Sequence, residues 1–496
     1  MKNVIIIGAG IGGLTAGNLL AKKGHKVTIF ESHSTPGGYT AGFWRKGFYF
    51  ESGTLSFESS ATIFKAMKDI GVYDRIDFIR QKTRLISEGF DVIPESYQEY
   101  RDAIISAYPP EREALSKYFS EVDKMYESMG SSDEPMPSLY EGLAYAKAMA
   151  SAMSNLKAMK IYKQYENVTI DEFTEQFFDK NSKLYGLLKS IGYPEMASWL
   201  LGGAFGGFIE DYWTVKSGMQ SWADTLTGNF KELGGEIKLK SYVDKIITKD
   251  GRAIGISCNN TNYEADYVIS AGDYKKTFLK LLDDQSLIPE DMQKKVNEAP
   301  VSEGCFTVYL GLNMSNDKLK EYMKIPHVSY SNENVELDVS DNYELFKGSS
   351  IMLYSPSLIN PRLAPEGKSS LMLQAFIPHD WGLNWGGNDR QQYGELKNKV
   401  REILIQTASA VIPDLAGFIE FHDAATPLTY EKFTHNTDGA TSAWSWNPKK
   451  RFYKQPMGTA IDTPVKNLYI GSCWATQIGG VPSAIAAAYE CAKKVK

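Results

Sequence analysis

Three glycines near the start, Gly8, Gly10 and Gly13, stand in the spacing G-x-G-x-x-G inside VIIIGAGIGGLTAGNLLAKKGHKVTIFE. That spacing suits a backbone that must hold a diphosphate. Gly8 permits a tight turn, Gly10 lets a pyrophosphate approach the main chain, and Gly13 lets the next helix lie close on the strand. The helix N-terminus adds free N–H groups and the positive end of a dipole. Glu31, 18 residues past Gly13, is placed to accept hydrogen bonds from a ribose, and its charge disfavours a 2′-phosphate. Alone, the three glycines mark only a tight turn. Strand, helix, second strand and terminal acid in this order make a dinucleotide site.

The elements that must position these residues can be read directly. Val4 to Ile7 is β-branched and apolar, as a buried parallel strand should be. Leu14 to Lys23 has helical composition, Gly24 closes it, and Lys26 to Phe30 forms the second strand. A second glycine pair, Gly37-Gly38, again marks close backbone approach.

Composition bounds the rest. The chain has 496 residues, 43% hydrophobic and 23% charged, so it is globular and long enough for several domains. With 54 basic against 60 acidic residues and no basic tract, a nucleic-acid partner is not expected. Cys258, Cys305, Cys473 and Cys491 form no C-x-x-C, and the six histidines are scattered. No disulfide framework, zinc site or other metal is therefore expected. No signal-peptide core and no apolar run of ~20 residues is present. The expectation is a cytoplasmic protein that touches a membrane peripherally at most.

Further along, Phe48 to Phe50 reads as a short strand and Pro109-Pro110-Glu111 as a helix start. Gly130 to Ser138 is expected to be a hinge or exposed loop. Leu139 to Tyr165 places Tyr145, Met149, Met153, Leu156 and Met159 at roughly helical spacing, with Lys147, Lys157, Lys160 and Lys163 on a basic side. Two readings fit: a helix packed on the substrate domain, or a basic amphipathic lid that dips into a membrane to collect a lipid. LGGAFGGF (201–208) lets either a planar group or another helix come close. Ser217 to Leu233 reads as a helix, Glu236 to Lys240 as a strand, and Val243 to Thr248 with Ala253 to Cys258 as a hairpin. Tyr267 to Ser270 is a buried strand. Phe306 to Leu312, Ser350 to Tyr354 and Leu371 to Ile377 suggest a second, mostly antiparallel sheet. Leu468 to Ile470 is a last strand, and Gly479-Gly480 precedes a helix with Pro482 in its first turn and Lys493 and Lys494 at its end.

Together these residues resemble FAD-dependent oxidoreductases of the phytoene desaturase, carotenoid isomerase and retinol saturase group, within the flavin amine oxidase superfamily. The opening block to Gly53, the segment SGMQSWADTLTGNFKELGGEIKLKSYVDKI, TVYLGL, TPLTYEKFT, NLYIGSCW and IGGVPSAIAAA carry the likeness. The resemblance implies an α/β fold: a two-dinucleotide-binding-type Rossmann FAD domain interleaved with an α+β substrate domain made of an antiparallel sheet and a helical insertion. Its parts would be 1–85, 215–295 and 459–496 for FAD, with 86–214 as helical lid and 296–458 as substrate sheet. FAD would rest against Gly8, Gly10, Ile11, Gly12, Gly13, Glu31, Ser32, Gly37, Gly38, Tyr39, Thr40, Thr54, Leu55, Val243, Ala271, Gly272, Gly471, Ser472, Gly480 and Val481. Gly37-Gly38 would support the pyrophosphate from its other side, and the backbone of Val243 would hold the adenine. Many members carry Asp where this chain has Ser472. Serine can make one hydrogen bond to the ribityl chain but brings no charge.

The resemblance implies hydride transfer between flavin N5 and carbon: desaturation, saturation or double-bond isomerisation of an isoprenoid, carotenoid- or retinoid-like or other unsaturated lipid. No second G-x-G-x-x-G follows a strand, so electrons are expected from an external donor or acceptor, such as a quinone, oxygen or a reduced carrier. No residue is assignable as acid or base. Trp199, Trp213, Trp381, Trp385, Trp444 and Trp446 are candidates to line a cavity, two or three of them at the site. An amine or amino-acid oxidase and a non-catalytic flavin-binding lipid carrier are the other readings.

Overall fold

A computed structural model describes residues 1–87, 89–129, 134–189, 192–193, 195–331, 350–455 and 458–496. The expected hinge at 130–138 falls partly outside the described residues.

The first strand, Asn3–Ile7, is the middle of a five-stranded parallel sheet. Its neighbours are Lys26–Phe30 on one side and Tyr267–Ser270 on the other, with Ile5 opposite Thr28 and Val268. Glu236–Lys238 and Leu468–Ile470 close the two edges. The sheet therefore draws strands from three stretches separated by most of the chain. Val4, Ile6, Val268, Ile269, Leu468 and Ile470 have no accessible surface, as expected of a parallel sheet covered on both faces. The helix Ile11–Lys22 packs against both Met219–Glu232 and Gly480–Lys494.

A second sheet has seven strands in the order Ile419–Ala425, Gly304–Leu312, Ser369–Ile377, Ile351–Tyr354, His327–Tyr330, Arg84–Ser87 and Phe90–Val92. It is antiparallel except where His327–Tyr330 pairs with Arg84–Ser87. All nine residues of Gly304–Leu312 are buried, and the pleat divides them. Phe306, Val308, Leu310 and Leu312 enter one core, whereas Cys305 and Tyr309 turn to another with Phe48 and Phe50. The strand Arg84–Ser87 lies across the expected boundary at residue 85 and belongs wholly to this second sheet. One of its two neighbours, His327–Tyr330, is more than 200 positions away, a pairing that local sequence does not announce.

The helical region includes Tyr97–Ala107, Arg112–Ser128, Gly142–Ser154, Leu156–Tyr165 and Leu201–Phe205. The glycines of 201–208 serve helix packing: a Cβ on Gly202 would stand 2.5 Å from the Met125 carbonyl carbon. The helix then widens into a π-turn, Gly206–Glu210, a feature common at functional sites. The segment expected as one helix over 139–165 is two, and Leu143 and Leu156 are 72% and 77% exposed. This helix pair therefore leaves apolar side chains on the surface.

Candidate functional site: a cofactor cleft beside an aromatic chamber

A cleft of about 410 Å³ runs along the ends of the parallel strands. Its lining takes in Gly8, Gly10, Ile11 and Gly12 from the first turn, Glu31 and Ser32 after the second strand, and Gly37, Gly38, Tyr39, Thr40 and Thr54 beyond. Val243, Ala271 and Gly272 come from the middle of the chain, and Ser472, Gly480 and Val481 from its last stretch. Gly13, Leu55 and Gly471 are not on this lining. Gly13 and Gly471 work one layer behind it, and Leu55 faces a second cavity.

The glycines divide by what a side chain would meet. A Cβ on Gly13 would sit 2.0 Å from the Gly8 carbonyl oxygen, and one on Gly12 would sit 2.3 Å from the Gly471 carbonyl oxygen. These two let the helix touch the first turn and the last strand. A Cβ on Gly10 or Gly272 meets no protein atom within 4 Å. Both therefore border open space, as residues beside a bulky ligand should. Gly37, with φ at 124°, donates its N–H to the Ala9 carbonyl at 2.8 Å, bringing the second glycine pair against the first loop.

Glu31 organises the far end. Its Oε2 accepts from the Ala9 N–H at 2.7 Å, and Oε1 accepts from the His33 N–H at 2.8 Å. The carboxylate thus braces the phosphate loop. Ser472 donates its hydroxyl proton to the Gly272 carbonyl at 2.7 Å, so toward a ribityl chain it offers only an acceptor. Beside it Cys473 is half-buried on the cleft wall, and desolvation pushes its thiol up to about 12. It is no nucleophile.

A second cavity of about 280 Å³ shares Tyr39, Thr54, Tyr430, Thr441, Gly480 and Val481 with the cleft. Its walls are Tyr100, Tyr193, Tyr212, Phe57, Phe90, Phe205, Phe208 and Phe376, together with aliphatic and small polar groups. Among the described residues no lysine or arginine lines it. None of the six candidate tryptophans lines either cavity, against the two or three expected at the site. Trp385 and Trp444 are fully buried in cores, and Trp446 stands behind Tyr193, stacked at 4.2 Å. Trp474, not singled out from sequence, lines the cleft, and its carbonyl accepts from the Trp444 indole N–H at 2.9 Å.

Sequence reasoning also missed the ionisable groups of the chamber, Glu58 and His327, and the buried acids nearby. Glu51 is fully buried, accepting from the Tyr49 hydroxyl at 2.8 Å and the Met219 N–H at 3.1 Å, and burial raises it to about 8. Glu303 accepts from the Thr441 hydroxyl at 2.9 Å and is raised to about 7, again by burial. Against the expectation of no metal cluster, His379, Glu431 and Asp438 bring potential ligand atoms within 4.8 Å of one another. Their geometry suits ion pairs better. The imidazole turns Nε2 to Glu431 at 3.5 Å and Nδ1 to Asp438 at 3.8 Å, and Lys276 Nζ is already 3.2 Å from Glu431. Those cations hold Glu431 down at about 2.

The profile of the family described as flavin containing amine oxidoreductase matches residues 11–496. The chain belongs to this family. It is 27% identical over 475 residues to a 4,4'-diapophytoene desaturase (4,4'-diapolycopene-forming) from Methylomonas sp, covering 91% of this chain and 88% of that one. It is 25% identical over 524 residues to a chloroplastic prolycopene isomerase from Daucus carota, covering 99% and 80%. Among solved structures, an oxidoreductase from Methanosarcina mazei matches with a TM-score of 0.64 at 15% identity, covering 99% of this chain and 100% of that one. Wild-type putrescine oxidase bound to putrescine matches with a TM-score of 0.63 at 13% identity, covering 100% and 98%. The structural likenesses show the fold alone. The protein is an FAD-dependent oxidoreductase of the desaturase- and isomerase-like branch, and the glycine-bordered cleft fits that cofactor.

Proposed function

We propose that the protein rearranges or changes the oxidation level of carbon–carbon bonds in an unsaturated isoprenoid or related lipid. The observation that carries this reading is the junction of the two cavities. The cleft that fits FAD adjoins, across Tyr39, Thr54, Tyr430, Thr441, Gly480 and Val481, an aromatic chamber without a lysine or arginine among its described residues. Such walls suit a long apolar chain and offer no lysine or arginine to grip the carboxylate of an amino acid. The names of the desaturase and isomerase relatives support the same class.

When bound, FAD supplies hydride exchange with carbon. The chain's part is to hold and orient. Gly8, Gly10, Gly37 and Gly38 would cradle the diphosphate, Glu31 would meet the ribose, and the glycine-flanked N-terminus of Gly480–Lys494 would face the ring. The phenyl and phenol rings of the chamber exclude water and fix the chain of the substrate.

The electron partner, a quinone, oxygen or a reduced carrier, would act from outside. Peripheral membrane contact is supported by the helix pair from Gly142 to Tyr165, which exposes Leu143, Tyr145, Leu156 and Met159 beside Lys147, Lys160 and Lys163. No helix among the described residues is long and apolar enough to cross a membrane.

The test is anaerobic photoreduction of the holoprotein followed by mixing with polyenes, unsaturated fatty acids and amines. Reoxidation by an olefin marks a saturase, and product without net reoxidation an isomerase. Reduction of the oxidised form by a lipid marks a desaturase. Reduction by an amine alone would overturn the proposal.

A further inference from the structure

The chamber is not uniformly apolar. Glu58 lines it, and among the described residues no other side chain hydrogen-bonds its carboxyl. Its neighbour Asp211 is already satisfied, accepting from the Ser60 N–H at 3.0 Å and the Trp213 indole N–H at 2.9 Å. Burial first, and then the Asp211 charge, raise Glu58 above the usual carboxylate range. The carboxyl therefore holds its proton more firmly than a solvated glutamate and can donate a hydrogen bond.

His327 is fully buried and lines the same chamber, its Nδ1 3.1 Å from the Thr83 hydroxyl. That hydroxyl donates its single proton to the Phe208 carbonyl at 3.2 Å. With Nδ1 protonated both contacts are satisfied at once, and that tautomer leaves Nε2 as a lone-pair acceptor. Nε2 has no partner. Burial holds the ring neutral, its pKa lowered to about 3. Tyr212 adjoins both: its ring stands 5.1 Å from the His327 ring, and Glu58 adds to the burial that raises its phenol. A buried acceptor such as His327 Nε2 is costly to leave unpaired unless a ligand satisfies it.

We propose that the substrate carries a neutral oxygen function, a hydroxyl or a carbonyl, seated among Glu58, His327 and Tyr212. The chamber then selects an oxygenated unsaturated lipid over the bare hydrocarbon of the same skeleton. A hydroxyl satisfies the Nε2 acceptor, and a carbonyl the Glu58 donor. A carboxylate is disfavoured, because no lysine or arginine lines the chamber among the described residues and the Asp211 charge lies beside Glu58. This rests on the chamber being the substrate site, and Glu58 and His327 are positioning residues within it.

The test is equilibrium binding to the FAD-loaded protein, read from the flavin spectrum. The probes are geranylgeraniol, the hydrocarbon with hydrogen in place of its hydroxyl, the corresponding amine and the corresponding acid. The alcohol should bind about ten-fold tighter than the hydrocarbon. Glu58→Leu and His327→Phe should each remove most of that preference by weakening the alcohol alone, and Glu58→Gln should keep most of it. Should Glu58→Leu fail to retain FAD, Tyr212→Phe keeps the ring and should still cost the alcohol several-fold and the hydrocarbon nothing. Equal binding of alcohol and hydrocarbon, or tightest binding of the amine or acid, overturns the proposal. Alcohol preference without turnover of any olefin supports the anchor and removes the carbon–carbon reading. Turnover of a hydrocarbon indifferent to Glu58→Leu does the reverse.

Discussion

Gly10 and Gly12 sit two residues apart yet answer to different constraints. Gly10 has φ −69°, which any residue adopts, and a Cβ there meets no protein atom within 4 Å. Gly10→Ala should therefore fold with its apoprotein melting temperature unchanged while FAD affinity falls ten-fold or more. Flavin titration beside calorimetry checks both halves. Gly12→Ala drives a methyl against the Gly471 carbonyl oxygen and should destabilise even the apoprotein by about 1–3 kcal/mol. Glu51 carries a pH signature. Its carboxyl rises from the ordinary 4.5 to about 8 on folding, so between those values the native state holds a proton that the unfolded chain has lost. Stability from this group is present at low pH and is lost as pH rises toward 8. Glu51→Gln should flatten that decline and gain several degrees on the wild type between pH 5 and pH 9, measured by thermal melts. The glycine fingerprint was legible because its logic is local, a fixed spacing around one turn. Glu58 and His327 were not. In the sequence they are one acid among serines and one lone histidine, and only the pairing of Arg84–Ser87 with His327–Tyr330 brings His327 to the Thr83 hydroxyl. The tryptophans misled for a related reason: a large ring fills a core as readily as it walls a pocket.

Among the elements, the parallel strands declared themselves as short β-branched runs, and the last helix through its proline and terminal lysines. The paired helices between Gly142 and Tyr165 did so in part, since the spacing left a packed helix and a basic lid both open and did not show the break into two. Helical spacing of apolar residues normally means a buried face, and here Leu143 and Leu156 face outward beside lysines. Replacing both with glutamate should lower co-sedimentation with anionic vesicles about five-fold or more and leave FAD content untouched. Unchanged vesicle binding would assign these helices to some other contact.

At the scale of the whole molecule, the cofactor cleft takes lining residues from near both ends and from the middle of the polypeptide. FAD binds only the native arrangement, so it should stabilise by mass action. Adding it at about 100 times its dissociation constant contributes about 2.7 kcal/mol, and a chain this long should melt roughly 1–3 °C higher. Stripping the flavin should lower the melt correspondingly and quench visible absorbance. The parallel sheet also sets a timetable for synthesis. Asn3–Ile7 leaves the ribosome hundreds of residues before Leu468–Ile470, the edge strand beside Tyr267–Ser270. A nascent chain therefore carries its phosphate loop long before it can grip a flavin, and any message truncated upstream of residue 468 should yield a colourless product whatever the vitamin supply.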